Sequence, residues 1–332
     1  MRLPSFQYLE PTQVDEAVSI LADFGDRVKI CAGGTEVINH LRRRLIRPAA
    51  VMNIRKLPDL EGLSETTQEI VIGANTTLKE ISRSKLINRE AQAVAEAAGQ
   101  TASPTIIAMA TIGGNILQNT RCLNYNQSGI VLQGLPVCHK RGGADCLAVP
   151  GSRRCFSVYQ GDLAPALMAL RAQCVLVKKG AARTVPLTGL FTGDGTKPLA
   201  LEEDELLTRI VIPKTEGRQA SAYRKFRVRG SVDFPLASAA AFLSVTADFL
   251  LADSCVVIGA SGPAPRVVES AEALLKGKTP GAADAAIVAK KAFDLSEGVD
   301  NLTLPGDYRR KMVRVLTQRA VQAALENLKG GR

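Results

Sequence analysis

The chain has 332 residues, 46% of them hydrophobic and 22% charged, and carries a net charge of +10. This is the composition of an ordinary globular protein with room for two or three domains. No apolar run approaches the roughly 20 residues of a membrane span, so none is expected.

In chain order, the first unit reads as βαβ-like. Thr12 is placed to cap a helix in which Val14, Ala17, Val18 and Leu21 recur at helical spacing, with Asp15 at the capping-box position and Gly25 just past the end. Residues 28–32 read as a buried strand, followed by Gly33-Gly34-Thr35, a second helix to about Arg44, and a strand over 50–54. A strand–Gly-Gly–helix turn lets backbone N–H groups approach an anion. The pattern is not G-x-G-x-x-G and does not indicate a Rossmann fold. Residues 56–110 continue as a second α/β unit. It has a strand over 70–73, a cap at Thr76-Thr77, a helix from 78, and an Ala- and Glu-rich helix over about 89–98. Residues 110–112 read as β-like and lead into a second glycine turn, Gly113-Gly114. Two such turns suit a dinucleotide, whose diphosphate can be clasped from opposite sides.

Residues 111–170 organise the chain. They hold four of the seven cysteines, Cys122, Cys138, Cys146 and Cys155, with gaps of 15, 7 and 8 residues. The surrounding residues, such as Asn124 to Ser128 and Lys140 to Gly143, are polar and turn-forming, so burial alone is not expected to offset their ordering entropy. Two disulfides would need an oxidising compartment. An odd number of cysteines and an N-terminus without a signal-peptide hydrophobic region fit a reducing cytoplasm better. Zinc suits four thiolates but usually takes them in closely spaced pairs. An iron–sulfur cluster tolerates irregular spacing. Spacing alone leaves the metal open. His139, beside Cys138, reads as a solvated neighbour and His40 as a helix-surface residue, whereas Cys31, Cys174 and Cys255 read as packing residues. Asp162 reads as the N-cap of a helix from Leu163.

Residues 174–178 and 206–212 read as strands, and the polar stretch 214–219 as a domain boundary. Beyond it come strands over 223–229, 237–246 and 255–259, then helices near 267–275, 282–293 and 307–328. Basic clusters raise the question of nucleic acid. Only 4% of residues are aromatic, Trp is absent and no nucleic-acid module is recognisable, so no nucleic-acid partner is expected. A basic surface also suits acidic protein partners and a pyrophosphate. With two histidines and no visible nucleophile–base pair, the bond-making site is expected on another chain.

Thr111-Ile-Gly-Gly-Asn115, Ala32-Gly-Gly-Thr-Glu36 and Asp162-Leu-Ala-Pro-Ala-Leu167 together resemble the FAD-binding (medium) subunit of the xanthine dehydrogenase/carbon monoxide dehydrogenase family. Family members pass from Gly-Gly-Asn to Asp-Leu in a short step, whereas Asn115 and Asp162 are 47 positions apart here. The inserted loop, about 119–160, carries Arg121-Cys122, Tyr125-Asn-Gln-Ser128, Cys138-x-Lys140-Arg-Gly-Gly143, Cys146 and Cys155. It is similar to the insertion of the 4-hydroxybenzoyl-CoA reductase branch.

The resemblance implies an α+β architecture. A p-cresol methylhydroxylase-type FAD-binding fold would comprise two α/β subdomains, 1–55 and 56–217, followed by a small α+β domain of the carbon monoxide dehydrogenase flavoprotein type, 218–332. It implies FAD held by Lys29, Ile30, Cys31, Ala32, Gly33, Gly34, Thr35 and Glu36, and by Thr111, Gly113, Gly114, Asn115 and Gln118. Thr101 and Ala102 would lie on the adenine side, with Asp162 and Lys225 facing the flavin. The four clustered cysteines, Cys122, Cys138, Cys146 and Cys155, would hold a [4Fe–4S] cluster. Implied partners are a molybdopterin-binding large subunit and a small subunit with two [2Fe–2S] clusters, in a dimer of heterotrimers. Reduced ferredoxin would supply electrons for reductive removal of a phenolic hydroxyl from 4-hydroxybenzoyl-CoA, in anaerobic cytoplasmic aromatic degradation. The alternatives are an oxidative xanthine or aromatic dehydrogenase of the same family and, in another class, a zinc-stapled nucleic-acid-associated protein.

Overall fold

A computed structural model describes residues 2–215, 217–279 and 281–330, and places them in three sheets. The expected boundary stretch 214–219 therefore includes one residue, Glu216, outside the described set, as are the last two residues of the expected C-terminal domain.

The first sheet is parallel and three-stranded, in the spatial order Gln7–Leu9, Ala50–Asn53, Val28–Cys31. Helix Val14–Phe24 covers it, burying Ala17, Val18 and Leu21. Its start differs from the expectation. Among the described residues, Thr12 accepts no hydrogen bond; its N–H and hydroxyl both donate to Glu16, at 2.7 and 3.2 Å, so the acid one turn on closes the first turn. Gly25 terminates the helix at φ 56°, as its position suggested.

The second sheet is antiparallel and five-stranded, ordered Leu63–Glu65, Glu69–Gly73, Leu206–Pro213, Gln173–Lys178, Ala181–Pro186. Its core includes Ile70, Ile72, Ile210 and Ile212, packed with the alanine-rich helix Gln92–Gln100 and the fully buried helix Leu163–Ala169. The helix expected over 89–98 is two helices, Lys85–Glu90 and Gln92–Gln100, broken where Ala91 leaves helical geometry at φ −140°. Thr77 caps helix Leu78–Arg83 in a complete capping box with Glu80. Residues 110–112 are not a strand. Thr111 makes one bridge to Thr77 and then caps helix Ile112–Ile116, so the second glycine pair lies inside a helical first turn.

The third sheet is antiparallel, ordered Arg266–Val267, Leu251–Gly259, Ala237–Val245, Arg218–Phe226. The last of these begins earlier than expected and stops at Phe226, leaving Arg227 to Arg229 in the following loop. All nine residues of Ala237–Val245 are buried because both faces are covered. Ala237, Ala239, Ala241 and Leu243 face helices Ala282–Leu295 and Gly306–Gly330, whereas Ala240 and Phe242 join the core of the second sheet. Small residues on a two-period strand allow both layers to approach closely. Among the described residues, no helix is long and apolar enough to cross a membrane.

The capping box offers a direct check of this local reading. Thr77→Ala should remove the N-cap acceptor and cost about 1 kcal/mol, a fall in Tm of about 2 °C. An unchanged Tm would mean that tertiary packing alone sets this helix start.

Candidate functional site

A cleft of about 970 Å³ opens between the first sheet, the start of helix Ile112–Ile116 and the start of helix Leu163–Ala169. One wall is the strand end and turn, Lys29, Ile30, Ala32, Gly33, Gly34, Thr35 and Glu36. Thr111, Gly113, Gly114, Asn115, Gln118 and Asp162 form the other side, with Thr101 and Ala102 at the edge. Two residues expected at the cofactor do not line the cavity. The Cys31 sulfur packs beneath Gly34, and Lys225 lies behind Asp162.

The two glycine turns do different work. A side chain at Gly33 would collide with the Met109 carbonyl, and Gly34 has φ +72°, so the first turn needs both glycines. Among the described residues, no protein acceptor engages the N–H groups of Gly33, Gly34 or Thr35, as befits a turn shaped for an anion. The second turn has no such spare donors. Gly113 N–H donates to the Ala74 carbonyl at 2.9 Å and Gly114 N–H to the Thr111 hydroxyl at 3.2 Å. It therefore offers a close, side-chain-free backbone surface. At Gly114 the nearest obstacle to a Cβ is the Thr111 hydroxyl, at 3.1 Å.

Asp162 is not a side-chain cap. It occupies the N-cap position without a capping bond, and Leu163 N–H donates instead to Asn115 Oδ1 at 3.1 Å. The Asp162 carboxylate is taken by Tyr223, whose hydroxyl donates at 2.7 Å, and by Lys225 at 3.0 Å. Lys225 also donates to the Gln100 and Thr101 carbonyls. The side chains of the Asp162–Lys225 pair are only 2% and 1% exposed, so Lys225 is no surface lysine. Burial raises the Asp162 carboxyl, opposed first by the Lys225 charge and then by the Tyr223 hydrogen bond. Nothing in the sequence marks Tyr223 for this role; it lies two residues before Lys225 on one strand, and the two-residue period puts both on one face.

The inserted loop closes on itself. Arg121 and Val158 exchange N–H···O bonds at 2.8 and 2.7 Å, bringing together the chain beside Cys122 and Cys155. Cys138, Cys146 and Cys155 are buried, Cys122 is half-buried, and all four are free thiols. Burial pushes the Cys122 thiol up, and the nearby charges of Cys155, Cys146 and Cys138 push it the same way. Lys140 reaches among them. Its ammonium donates to Asn119 Oδ1 at 2.7 Å and to the Thr120 hydroxyl, and burial pulls it down to about 8 against Cys155, Cys122 and Cys138. Among the described residues, no three Cys, His, Asp or Glu side chains are gathered as closely as a single metal ion requires. A four-iron cluster gives each thiolate a different iron and so holds the sulfurs farther apart than one zinc ion does. His139 is half-buried, its Nδ1 3.1 Å from the Gly143 carbonyl.

Glu36 joins the two halves of the site. Its carboxylate meets Arg121 at 3.3 Å and accepts from Asn119 N–H, both in the loop, while Arg121 stacks 3.8 Å from the Phe234 ring centroid. His40 is not on the surface. It is 8% exposed, one turn beyond Glu36 and 3.8 Å from it, and lines the cleft. Burial lowers His40 to about 4, with the Arg121, Arg43 and Lys140 charges acting in the same direction. Tyr125 and Phe234 also line the cleft; nothing in the sequence marks them as cleft residues.

Comparison with known proteins gives a consistent result. The "FAD binding domain in molybdopterin dehydrogenase" family matches residues 4–215, and the "CO dehydrogenase flavoprotein C-terminal domain" family matches 221–324. The chain is 28% identical over 326 residues to the carbon monoxide dehydrogenase medium chain of Hydrogenophaga pseudoflava, covering 97% of each. It is 28% identical over 232 residues to the nicotinate dehydrogenase FAD-subunit of Eubacterium barkeri, covering 69% of this chain and 66% of that one. A solved structure of carbon monoxide dehydrogenase from Hydrogenophaga pseudoflava superposes with a TM-score of 0.80 at 25% identity, covering 98% of this chain and 99% of its counterpart. The fold is thus that of a carbon monoxide dehydrogenase medium chain, with a FAD-binding domain and a C-terminal flavoprotein domain.

Two measurements probe the cleft. Gly114→Val should place a branched side chain against the Thr111 hydroxyl and block close approach of the pyrophosphate, so the variant should purify with less than about a tenth of the wild-type flavin. Full flavin occupancy would make that turn purely structural. The second measurement concerns pH. Because the folded chain holds His40 below its usual 6.5, its contribution to stability is full above 6.5 and is lost as pH falls toward about 4. Glu36, raised by burial, acts in the opposite sense, so the comparison must be between chains. His40→Gln should flatten the fall of Tm between pH 6.5 and about 4 relative to wild type. Parallel curves would place His40 in solvent.

Proposed function

The chain belongs to the family of FAD-binding medium subunits of the molybdenum hydroxylases, and from that premise we propose that it carries electrons inward in a 4-hydroxybenzoyl-CoA reductase-like complex. The observation that carries this reading is the inserted loop. It holds four free thiols, three of them buried, with Cys122 within reach of the charges of the other three and a half-buried lysine beside them, next to the flavin cleft.

The lining of the cleft suits FAD, and the four clustered cysteines are the candidate ligands of the cluster. The unengaged N–H groups of Gly33, Gly34 and Thr35 would receive the pyrophosphate of FAD, and the bare backbone at Gly113 and Gly114 would let it approach. Asp162, fixed by Lys225 and Tyr223, would orient the flavin end of the cofactor. Cys122, Cys138, Cys146 and Cys155 would hold a [4Fe–4S] cluster, and Lys140 would offset the negative charge of four thiolates. When bound, FAD supplies the exchange between one- and two-electron transfer, and the cluster supplies single-electron entry. The substrate would sit on the molybdopterin subunit, and two [2Fe–2S] clusters on the small subunit would lie between, in a dimer of heterotrimers. Replacing the phenolic hydroxyl by hydrogen consumes two electrons and two protons and releases water, and reduced ferredoxin is the proposed donor.

A second reading keeps the same subunit and reverses the current. The relatives are named as dehydrogenases, of carbon monoxide and of nicotinate, and this favours electrons leaving through the flavin. The two readings separate on whether reduced ferredoxin or an oxidised acceptor sustains turnover of the purified complex.

Anaerobic purification with metal and sulfide analysis tests the ligand set. Cys146→Ser should lose about four irons per chain and keep its FAD, because the four thiolates act as a set. Cys174→Ser should lose none, since Cys174 is a fully buried core residue pushed up to about 12 by burial. Iron retained in Cys146→Ser, or lost in Cys174→Ser, would refute the assignment. Zinc in a colourless protein would do the same for both electron-transfer readings.

A further inference from the structure

The loop 296–305 joins the last two helices of the C-terminal domain and closes around two buried polar residues, Asn301 within it and Arg309 in the helix that follows. Asn301 is 0% exposed and Arg309 2%. Every kind of polar group on Asn301 is engaged. Its carbonyl accepts from Leu123 N–H at 2.9 Å, its Nδ2 donates to the Phe156 carbonyl at 2.5 Å, and its Oδ1 accepts from Arg309 Nη2 at 3.1 Å. Leu123 immediately follows Cys122, and Phe156 immediately follows Cys155. One residue of the C-terminal domain thus ties together the chain beside the first and last cysteines of the insertion.

Arg309 holds Asn301 in place. Its guanidinium also donates to the Leu304 carbonyl at 3.2 Å and to the Val299 carbonyl, so the loop wraps around it. The loop itself is tightly closed: Gly306 N–H donates to Asp300 Oδ1 at 2.6 Å. A second tie, Arg154 to Glu297 at 2.8 Å, reaches the insertion from the same loop. Among the described residues, the Asn301 side chain hydrogen-bonds neither a thiol nor any named cleft residue. A plain domain-packing residue has no need to bond the backbone next to two of four clustered thiols.

We propose that Asn301, held by Arg309, is a positioning residue for the cysteine site: it fixes the spacing of Cys122 and Cys155, so the site is complete only when the C-terminal domain is docked. This rests on the reading of the four cysteines as ligands of one cluster. Residues that orient ligands from behind change metal retention by about ten- to a hundredfold.

The test uses the whole complex, purified anaerobically as wild type, Asn301→Ala, Thr317→Ala and Cys146→Ser. Thr317 is buried on the same helix as Arg309, and its hydroxyl donates to Val313, away from the insertion. The Cys146→Ser complex sets the iron background of the partner subunits. Asn301→Ala should keep its FAD and lose the excess iron to a chelator about ten times faster than wild type. Thr317→Ala should lower Tm without changing that rate. Equal rates in Asn301→Ala and wild type, or an equal acceleration in Thr317→Ala, would overturn the proposal. If wild type shows no iron above the Cys146→Ser background, the cluster reading itself fails. The clamp is then read on the metal-free full chain, where dibromobimane bridging of Cys122 to Cys155, located by peptide mass, should slow in Asn301→Ala. An unchanged bridging rate there would sink the clamp as well.

Discussion

The buried pair of Asp162 and Lys225 is the interaction on which the rest depends. It joins the exit of the insertion, the floor of the cleft and the first strand of the C-terminal sheet at one point. Two opposite charges this deep are tolerated only with further hydrogen bonds, and Tyr223, Gln100 and Thr101 supply them. Removing one partner of such a pair typically costs about 3–5 kcal/mol, because the other is left buried and unpaired. The pair therefore constrains domain docking and cleft shape together. Asn115 completes the arrangement by capping the helix that Asp162 leaves uncapped.

From this point the two candidate cofactor sites are built as neighbours. Glu36 ends the first glycine turn and reaches Arg121 and Asn119 in the insertion, so one carboxylate belongs to both the cleft wall and the loop. Lys140 approaches the thiols and touches Asn119 and Thr120 beside them. A loop fastened at both ends to the cleft is held rigidly beside it. The C-terminal domain adds the third fastening, through Asn301 and Glu297. A long insertion with little apolar pattern is thereby held mainly by polar contacts and four buried or half-buried thiols.

The elements with strong local signals were legible in the sequence: the helix ending at Gly25, a cap at Thr76-Thr77, the strands Gln173–Lys178 and Leu206–Pro213, and the long C-terminal helix. Their residues carry caps, apolar periods or terminal glycines that act over one or two turns. The two glycine turns and the clustered cysteines were equally plain, since both are patterns of residue type. Turns therefore pointed to a dinucleotide cleft, and thiols marked the loop that the structure folds beside it.

Tertiary structure alone decided what faces what. Asp162 and His40 read locally as a helix cap and a surface residue, yet one is a buried ion-pair member and the other lines the cleft, because long-range partners outcompeted the local options. The short strands Gln7–Leu9 and Leu63–Glu65 have too little pattern to announce themselves and exist through pairing with distant strands. The first glycine turn keeps spare N–H groups and the other has them engaged, a contrast that two Gly-Gly pairs do not reveal in sequence. It comes from whether Ala74 and Thr111 lie within reach. Residue type and spacing picked out the glycine turns and the clustered thiols. Contacts between residues far apart in sequence, which no local pattern encodes, decided where each group sits and what holds it there.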